Sequence, residues 1–347
     1  MMISAEKERP PRGALPWFLT GAARKAQPGN PNGKIRLQLL RSRFPALLAL
    51  WAVLILALPT LLWAEVEGFP EPTPEGRLTL SVIPVYQFPS HVNGGGDLGV
   101  FSLYSYADFA KQINDKLGVG LSLKYHFDNY EFSGLTAFYV PRPWKEVQHA
   151  GLSVPIFFTM NDQWEFILIP QGQFSGEFDA RFGDALVYGG GAGVRYTFGP
   201  NARLGVGVAA YYYLEQARVF PFLIVNLNLT DRITLSNPFR LGPAGPAGLV
   251  VSYRLNRQWD VGVGGAIRSY RFRLDYNGPI PNGIGEYSSF PLFARLAYKP
   301  FPDVTVALYG GLSVYNRLRV EDRRGDELYE SGQDVAPLIG GSISGKF

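Results

Sequence analysis

The chain has 347 residues, of which 46% are apolar, 14% aromatic and only 18% charged, and 40 are Gly. That balance excludes disorder over most of its length and suits β structure better than a helical bundle. It has no Cys, which excludes a disulfide framework, a thiolate metal site and a Cys nucleophile. The formal charge of +4 misleads, because residues 1–64 carry a net +7 and leave −3 on residues 65–347. Net charge therefore gives no support to nucleic-acid binding, and no nucleic-acid motif is present.

Residues 1–43 are rich in Pro, Gly and Arg without periodicity. They read as a basic disordered leader, or as a start placed too early. Residues 44–64 are the one stretch apolar enough for a membrane helix, preceded by Lys34, Arg36, Arg41 and Arg43. A basic region, an apolar run and the small residue Ala64 make a secretory signal, with cleavage leaving Glu65 first. Leu62 at position −3 is a poor fit to the usual small residue. An uncleaved anchor is the alternative, since twenty residues just span a bilayer.

From Glu65 onward, runs of 8–15 residues alternate. In Leu117–Phe127, Leu117, Val119, Leu121, Leu123, Tyr125 and Phe127 share one face, while Gly118, Gly120, Ser122, Lys124 and His126 share the other. In Val304–Tyr315, Val304, Val306, Leu308, Leu312 and Val314 oppose Thr305, Ala307, Tyr309, Ser313 and Tyr315. The second face is small or aromatic rather than rich in Lys and Glu, as a barrel lumen requires and a water-facing sheet does not.

Short Asn/Asp/Gly/Pro turns (at 113–117, 160–164, 198–201, 229–233, 255–259 and 299–303) alternate with longer polar connections at 89–97, 129–147, 176–184, 214–218, 238–246, 274–287 and 317–334. Six turns and seven loops join fourteen strands, near 77–88, 98–112, 117–128, 148–159, 164–175, 185–198, 203–213, 219–229, 232–237, 247–255, 259–273, 288–299, 304–316 and 335–347. The expectation is an all-β transmembrane antiparallel up-and-down β-barrel over 65–347, with both termini in the periplasm. The ninth strand is short and ends at Pro238; merging it with a neighbour would lower the count to twelve.

Asn161-Asp-Gln-Trp164 and Asn256-Arg-Gln-Trp259 each place a Trp just after a short turn, where its amphipathic ring suits the membrane–water interface. At the C-terminus, Ile339, Ile343 and Phe347 share a face. Ile343 and Phe347 read as the assembly signal that barrel-assembly machinery recognises, with Gly345 a departure from the common pattern.

The segments Val154-Pro-Ile…Asn161-Asp-Gln-Trp164, Phe220-Pro-Phe-Leu…Thr230-Asp-Arg-Ile-Thr-Leu-Ser-Asn-Pro238 and Asn256-Arg-Gln-Trp259 resemble an uncharacterised bacterial outer-membrane β-barrel family, DUF6268. The resemblance covers most of 77–347 and implies no activity and no functional residues.

Parity places Lys124, His126, Glu165, Arg203, Tyr211 and Arg295 in the lumen, where charges would tune solute selectivity or cross-link a closed interior. Of the three histidines, His91 falls in a loop, His126 on the lumen face, and His149 at the start of the fourth strand near the outer rim. Without Cys or His-x-His spacing they argue against a transition-metal site. Ser90-His91 lacks a third member for a hydrolase. Gly94–Gly96 and Gly189–Gly193 complete no nucleotide motif. The acidic and basic residues between Arg319 and Asp334 read as a solvated loop rather than a calcium site.

No cofactor is expected. The expected partners are outer-membrane lipid, the assembly machinery and a small solute, with no nucleic acid. A passive pore or small-solute transporter leads; a closed structural or surface-interaction barrel is the alternative, and a membrane-embedded hydrolase the last.

Overall fold

The computed structural model describes residues 71–347 apart from 135, 139, 141 and 238–246. The leader, the apolar segment 44–64 and the cleavage position lie outside the described residues. Strands β1 (Arg77–His91), β2 (Asp97–Asn114) and β3 (Leu117–Ser133) come first, then β4 in two pieces, Glu146–Ser153 and Ile156–Thr159. Next follow β5 (Trp164–Glu177), β6 (Leu186–Thr197), β7 (Ala202–Tyr213), β8 (Ala217–Asn228), β9 (Ile233–Ser236) and β10 (Ala247–Arg254). The series ends with β11 (Trp259–Arg273), β12 (Ile284–Phe301), β13 (Val304–Glu321) and β14 in two pieces, Glu327–Gln333 and Ala336–Lys346.

Both split strands are single spans interrupted by one irregular step. At Val154-Pro155 the ladder continues through Gly120 N–H donating to Pro155 O (2.7 Å) and Val154 N–H to Pro170 O (3.0 Å). The two pieces of β14 both pair with β13, along Asn316–Glu321 and Val304–Ser313.

Sequential neighbours pair antiparallel throughout, and β1 closes onto β14 with Val82 opposite Ile343. Phe347 and Leu78 exchange backbone hydrogen bonds of 2.8 and 2.9 Å, so the seam is sealed to the last residue. The chain is therefore a closed fourteen-stranded antiparallel barrel. Closure matters because an unpaired edge has no hydrogen-bonding partner in hydrocarbon. The short ninth strand is real: it spans four residues, and Asn237 extends its pairing by accepting from Val225 N–H through Oδ1 (2.8 Å).

Side-chain direction follows the expected parity in most strands. Leu121, Leu123 and Tyr125 are exposed on the outside of β3, while Ser122, His126 and Asp128 are buried inside. Val206, Val263, Leu308 and Ile343 are 57%, 60%, 64% and 54% exposed on other strands. This outward apolar belt with buried polar groups behind it is the inverse of a soluble protein and makes the barrel a membrane-spanning one.

Three expectations need correction. Tyr315 points outward, at 75% exposure, instead of sharing the inward face with Ser313. Its φ of +54° marks a bulge, the pairing jumps from Phe290–Val314 to Ser288–Arg317, and one extra residue reverses the parity. The segment 317–334 is mostly a strand hairpin rather than a loop, with its connection limited to 322–326. The segment 214–218 is a tight turn: Tyr213 N–H donates to Gln216 O (2.7 Å), with Leu214 and Glu215 both at positive φ. Neither residue carries the Asn/Gly signature of such a turn.

The outer end is packed. Phe138 and Trp144, from the connection after β3, are fully buried against Tyr130, Phe132, Val147 and Phe272. Here β5 and β11 meet across the barrel, with Gly176 bridged in parallel to Arg273. Ser175 Oγ donates to Arg271 O (2.6 Å), and Glu177 accepts from Lys145 N–H (2.9 Å) and Asp275 N–H (2.8 Å). Beyond this pinch, the nominally outward side of β11 and β12 turns into the barrel. Ile284 packs against Val187, Tyr213 and Leu214 of β6, β7 and the turn that follows.

Candidate functional site

A buried polar cluster lies just inside that apolar closure. Antiparallel pairing of β3 with β4 sets His126 directly opposite His149. Asp128 follows two residues along β3 and so shares the inward face. The two imidazoles stack, with centroids 4.9 Å apart and planes 21° from parallel. Tyr104 stacks on the other side of His126 at 4.1 Å, and Tyr270 meets it edge-on at 4.7 Å. His126, Asp128 and His149 are 5%, 2% and 3% exposed.

The hydrogen bonds assign the protons. His126 Nε2 lies 2.8 Å from Asp128 Oδ1, which also accepts from Ser102 Oγ (2.5 Å). The single proton of Ser175 goes to Arg271 O, so Ser175 Oγ accepts from His149 Nδ1 at 2.7 Å. His149 Nε2 and Asp128 Oδ2 then face each other at 3.9 Å, both buried and neither hydrogen-bonded. Ser175, His149 and Asp128 include the residue types of a hydrolytic triad. Ser175 is nevertheless oriented as an acceptor with no exposed surface, the reverse of a nucleophile.

The other lumen residues are spread along the inner wall. Lys124 faces inward one pair below His126, its stem passing beside Gly151. At the end that carries the short turns, Glu165 pairs with Arg195 (2.6 Å), and Glu71 joins Arg195 (3.4 Å) to Arg203. Tyr211 is half-buried and stacks with Phe220 at 5.7 Å. Arg295 stands between Gly262 and Tyr309 on the inner wall. The six residues form no single site; only His126 belongs to the buried cluster.

A second charged group sits at the pinch. Arg271 and Arg273 are essentially unexposed; Arg271 pairs with Glu321, and Arg273 with Glu215 (2.7 Å). Glu286 bridges Arg218 at 2.8 Å and Arg271 at 3.5 Å.

The two Trp motifs share one turn. Asn161 Oδ1 accepts from the N–H of Gln163 and Trp164 (both 2.9 Å), and Asn256 Oδ1 from those of Gln258 and Trp259 (2.8 and 3.0 Å). Trp164 meets Tyr196 edge-on at 4.7 Å and Trp259 lies tilted against Tyr298 at 4.6 Å, both beside the short turns. Ile343 and Phe347 are exposed on the outer face of the last strand.

Sequence reasoning missed Asp128 and His149 as partners of His126, and Ser175 as the partner of His149. His149 is not at the rim but in the body of β4. The signal was the pairing register, which brings together residues 23 positions apart without any local motif.

No curated protein matches this chain. Among solved structures, the chain is similar to the COG4313 outer membrane channel from Pseudomonas putida F1, at 9% identity and a TM-score of 0.44, covering 82% of this chain and 100% of that one. It is also similar to the P. putida toluene transporter TodX (10% identity, TM-score 0.38, 80% and 91% covered). A third is the KdgM porin in complex with disordered oligogalacturonate (7%, 0.31, 77% and 99%). The model of a family described as a domain of unknown function, DUF6268, matches residues 101–343, from β2 into β14, and the chain belongs to that family.

Proposed function

We propose that this protein is an outer-membrane channel of a Gram-negative-type bacterium that passes small solutes through its lumen, reaching the membrane by a cleaved N-terminal signal. The observation that carries the reading is the inward wall of the periplasmic half. Glu165, Arg195, Arg203 and Glu71 pair with one another there yet stay partly exposed, a charged inner surface that can tune which solutes pass. Fourteen strands also enclose more room than the eight that side chains alone can fill. The C-terminal strand, with Ile343 and Phe347 outward, is the surface offered to the assembly machinery.

The packed outer end favours a second reading, a closed structural barrel. Phe138 and Trp144 fill the lumen there among buried aromatics. Planar-bilayer recording separates the two. The channel reading expects discrete single-channel currents from the purified barrel, with longer openings in Trp144→Ala. If neither protein conducts at any voltage or salt concentration, the channel reading falls and the structural barrel stands.

A further inference from the structure

The gap between His149 and Asp128 needs an occupant. With its Nδ1 proton committed to Ser175, a neutral His149 points the Nε2 lone pair at the Asp128 carboxylate. Two lone pairs 3.9 Å apart in a buried site repel unless something positive or proton-donating lies between them.

We propose that these residues bind one divalent transition-metal ion, of the zinc class, through His149 Nε2, Asp128 Oδ2 and His126 Nε2. The dimensions fit. Zinc–nitrogen and zinc–oxygen bonds are each about 2.1 Å, so an ion in the 3.9 Å gap touches both atoms with almost no movement of either. The three ligand atoms lie within 4.8 Å of one another. His126 joins as its neutral Nδ1–H tautomer: the ring takes up a proton at Nδ1 as Nε2 gives its own to water, and the freed Nε2 lone pair turns the contact with Asp128 into coordination. A water from the adjoining cavity of about 30 Å³, lined by Ser102, Tyr104, Asp128 and Tyr130, completes four ligands.

The surroundings are those of a metal site. Metal-binding histidines donate their other ring N–H to an oriented acceptor, and ligating carboxylates are themselves hydrogen-bonded. Here His149 donates to Ser175, Ser175 is fixed by Arg271 O, and Ser102 donates to Asp128. Two histidines and a carboxylate, without thiolates, suit zinc and its neighbours rather than calcium or magnesium.

The test is titration of the detergent-purified, chelator-treated barrel with Zn²⁺, followed by calorimetry and by metal content after gel filtration. One tightly held equivalent per chain is expected. His149→Gln and Asp128→Asn should each abolish stoichiometric binding. Ser175→Ala, which only frees the His149 ring, should weaken it about 10–100-fold. His91→Ala, on the exposed outer rim, should change nothing. Heat-shifted migration on a gel shows that each variant is folded. Absence of a stoichiometric ion in the unaltered barrel, or undiminished affinity in folded His149→Gln, overturns the proposal and leaves a bridging water in the gap. The Co²⁺ form of the unaltered barrel reads the ligand set without any substitution. Intense visible bands of four-coordinate cobalt support it, and the weak bands of a six-coordinate aquo-like ion overturn it.

Discussion

Single residues do distinct work on the two sides of this wall. On the outside, Leu308 sits in the apolar belt at 64% exposure. Leu308→Lys should cost about 2–4 kcal/mol if that point lies near the bilayer midplane, measured by urea unfolding in lipid vesicles. On the inside, Gly207 lies under the Phe222 ring, and a Cβ there would overlap it. Phe222 is itself packed against Phe157, Ile167 and Ile224 and has little freedom to withdraw. Gly207→Ala should therefore cost about 1–3 kcal/mol by overpacking, whereas a substitution at Gly199, with open space around it, should disturb packing far less and act mainly through its positive φ. Parity predicted which face each residue would take because the backbone alone sets that alternation. Tyr315 escaped it because a bulge is a property of two paired strands, not of one.

Among the elements, the short turns were legible and the longer connections were not. Asn114, Asn161 and Asn256 each accept two backbone N–H groups within three residues, as Thr230 does through its hydroxyl. Chemistry that local can be read from composition. The Leu214-Glu215 turn has no such signature. It is held from outside, by Arg271 donating to Leu214 O (3.1 and 3.3 Å) and by Arg273 pairing with Glu215. The tip of the β13–β14 hairpin is local again. Asp322 accepts from Arg324 N–H (2.7 Å) and Asp326 N–H (3.0 Å), and its carboxyl is held below the usual range, chiefly by the Asp326 N–H. A depressed carboxyl stabilises above its unfolded pKa and loses that contribution as pH falls through the folded value. Amide exchange at Arg324 and Asp326 should therefore speed up below the carboxylate range relative to the pH trend of neighbouring amides. Asp322→Ala should remove that extra dependence, and an unchanged profile would contradict the assignment.

At the scale of the whole molecule, a regular fourteen-strand cylinder is narrowed at one end. β5 and β11 touch at Gly176 and Arg273, and the residues between β3 and β4 fill the space beside them. If the pinch is the gate, Glu177→Ala, which removes the acceptor shared by Lys145 and Asp275, should raise single-channel open probability without altering the strand content seen by circular dichroism. An unchanged open probability would place the gate elsewhere. The sequence by itself determined the barrel, its strand number, its lipid-facing row and its inner rim. Those follow from side-chain period and turn chemistry, which act over a few residues. Only the tertiary structure decided that the outer end is packed, that Arg271 and Arg273 are buried, and that His126, Asp128, His149 and Ser175 meet. Each of these depends on which strand pairs with which and in what register, and register is a property of the closed sheet that no single strand contains.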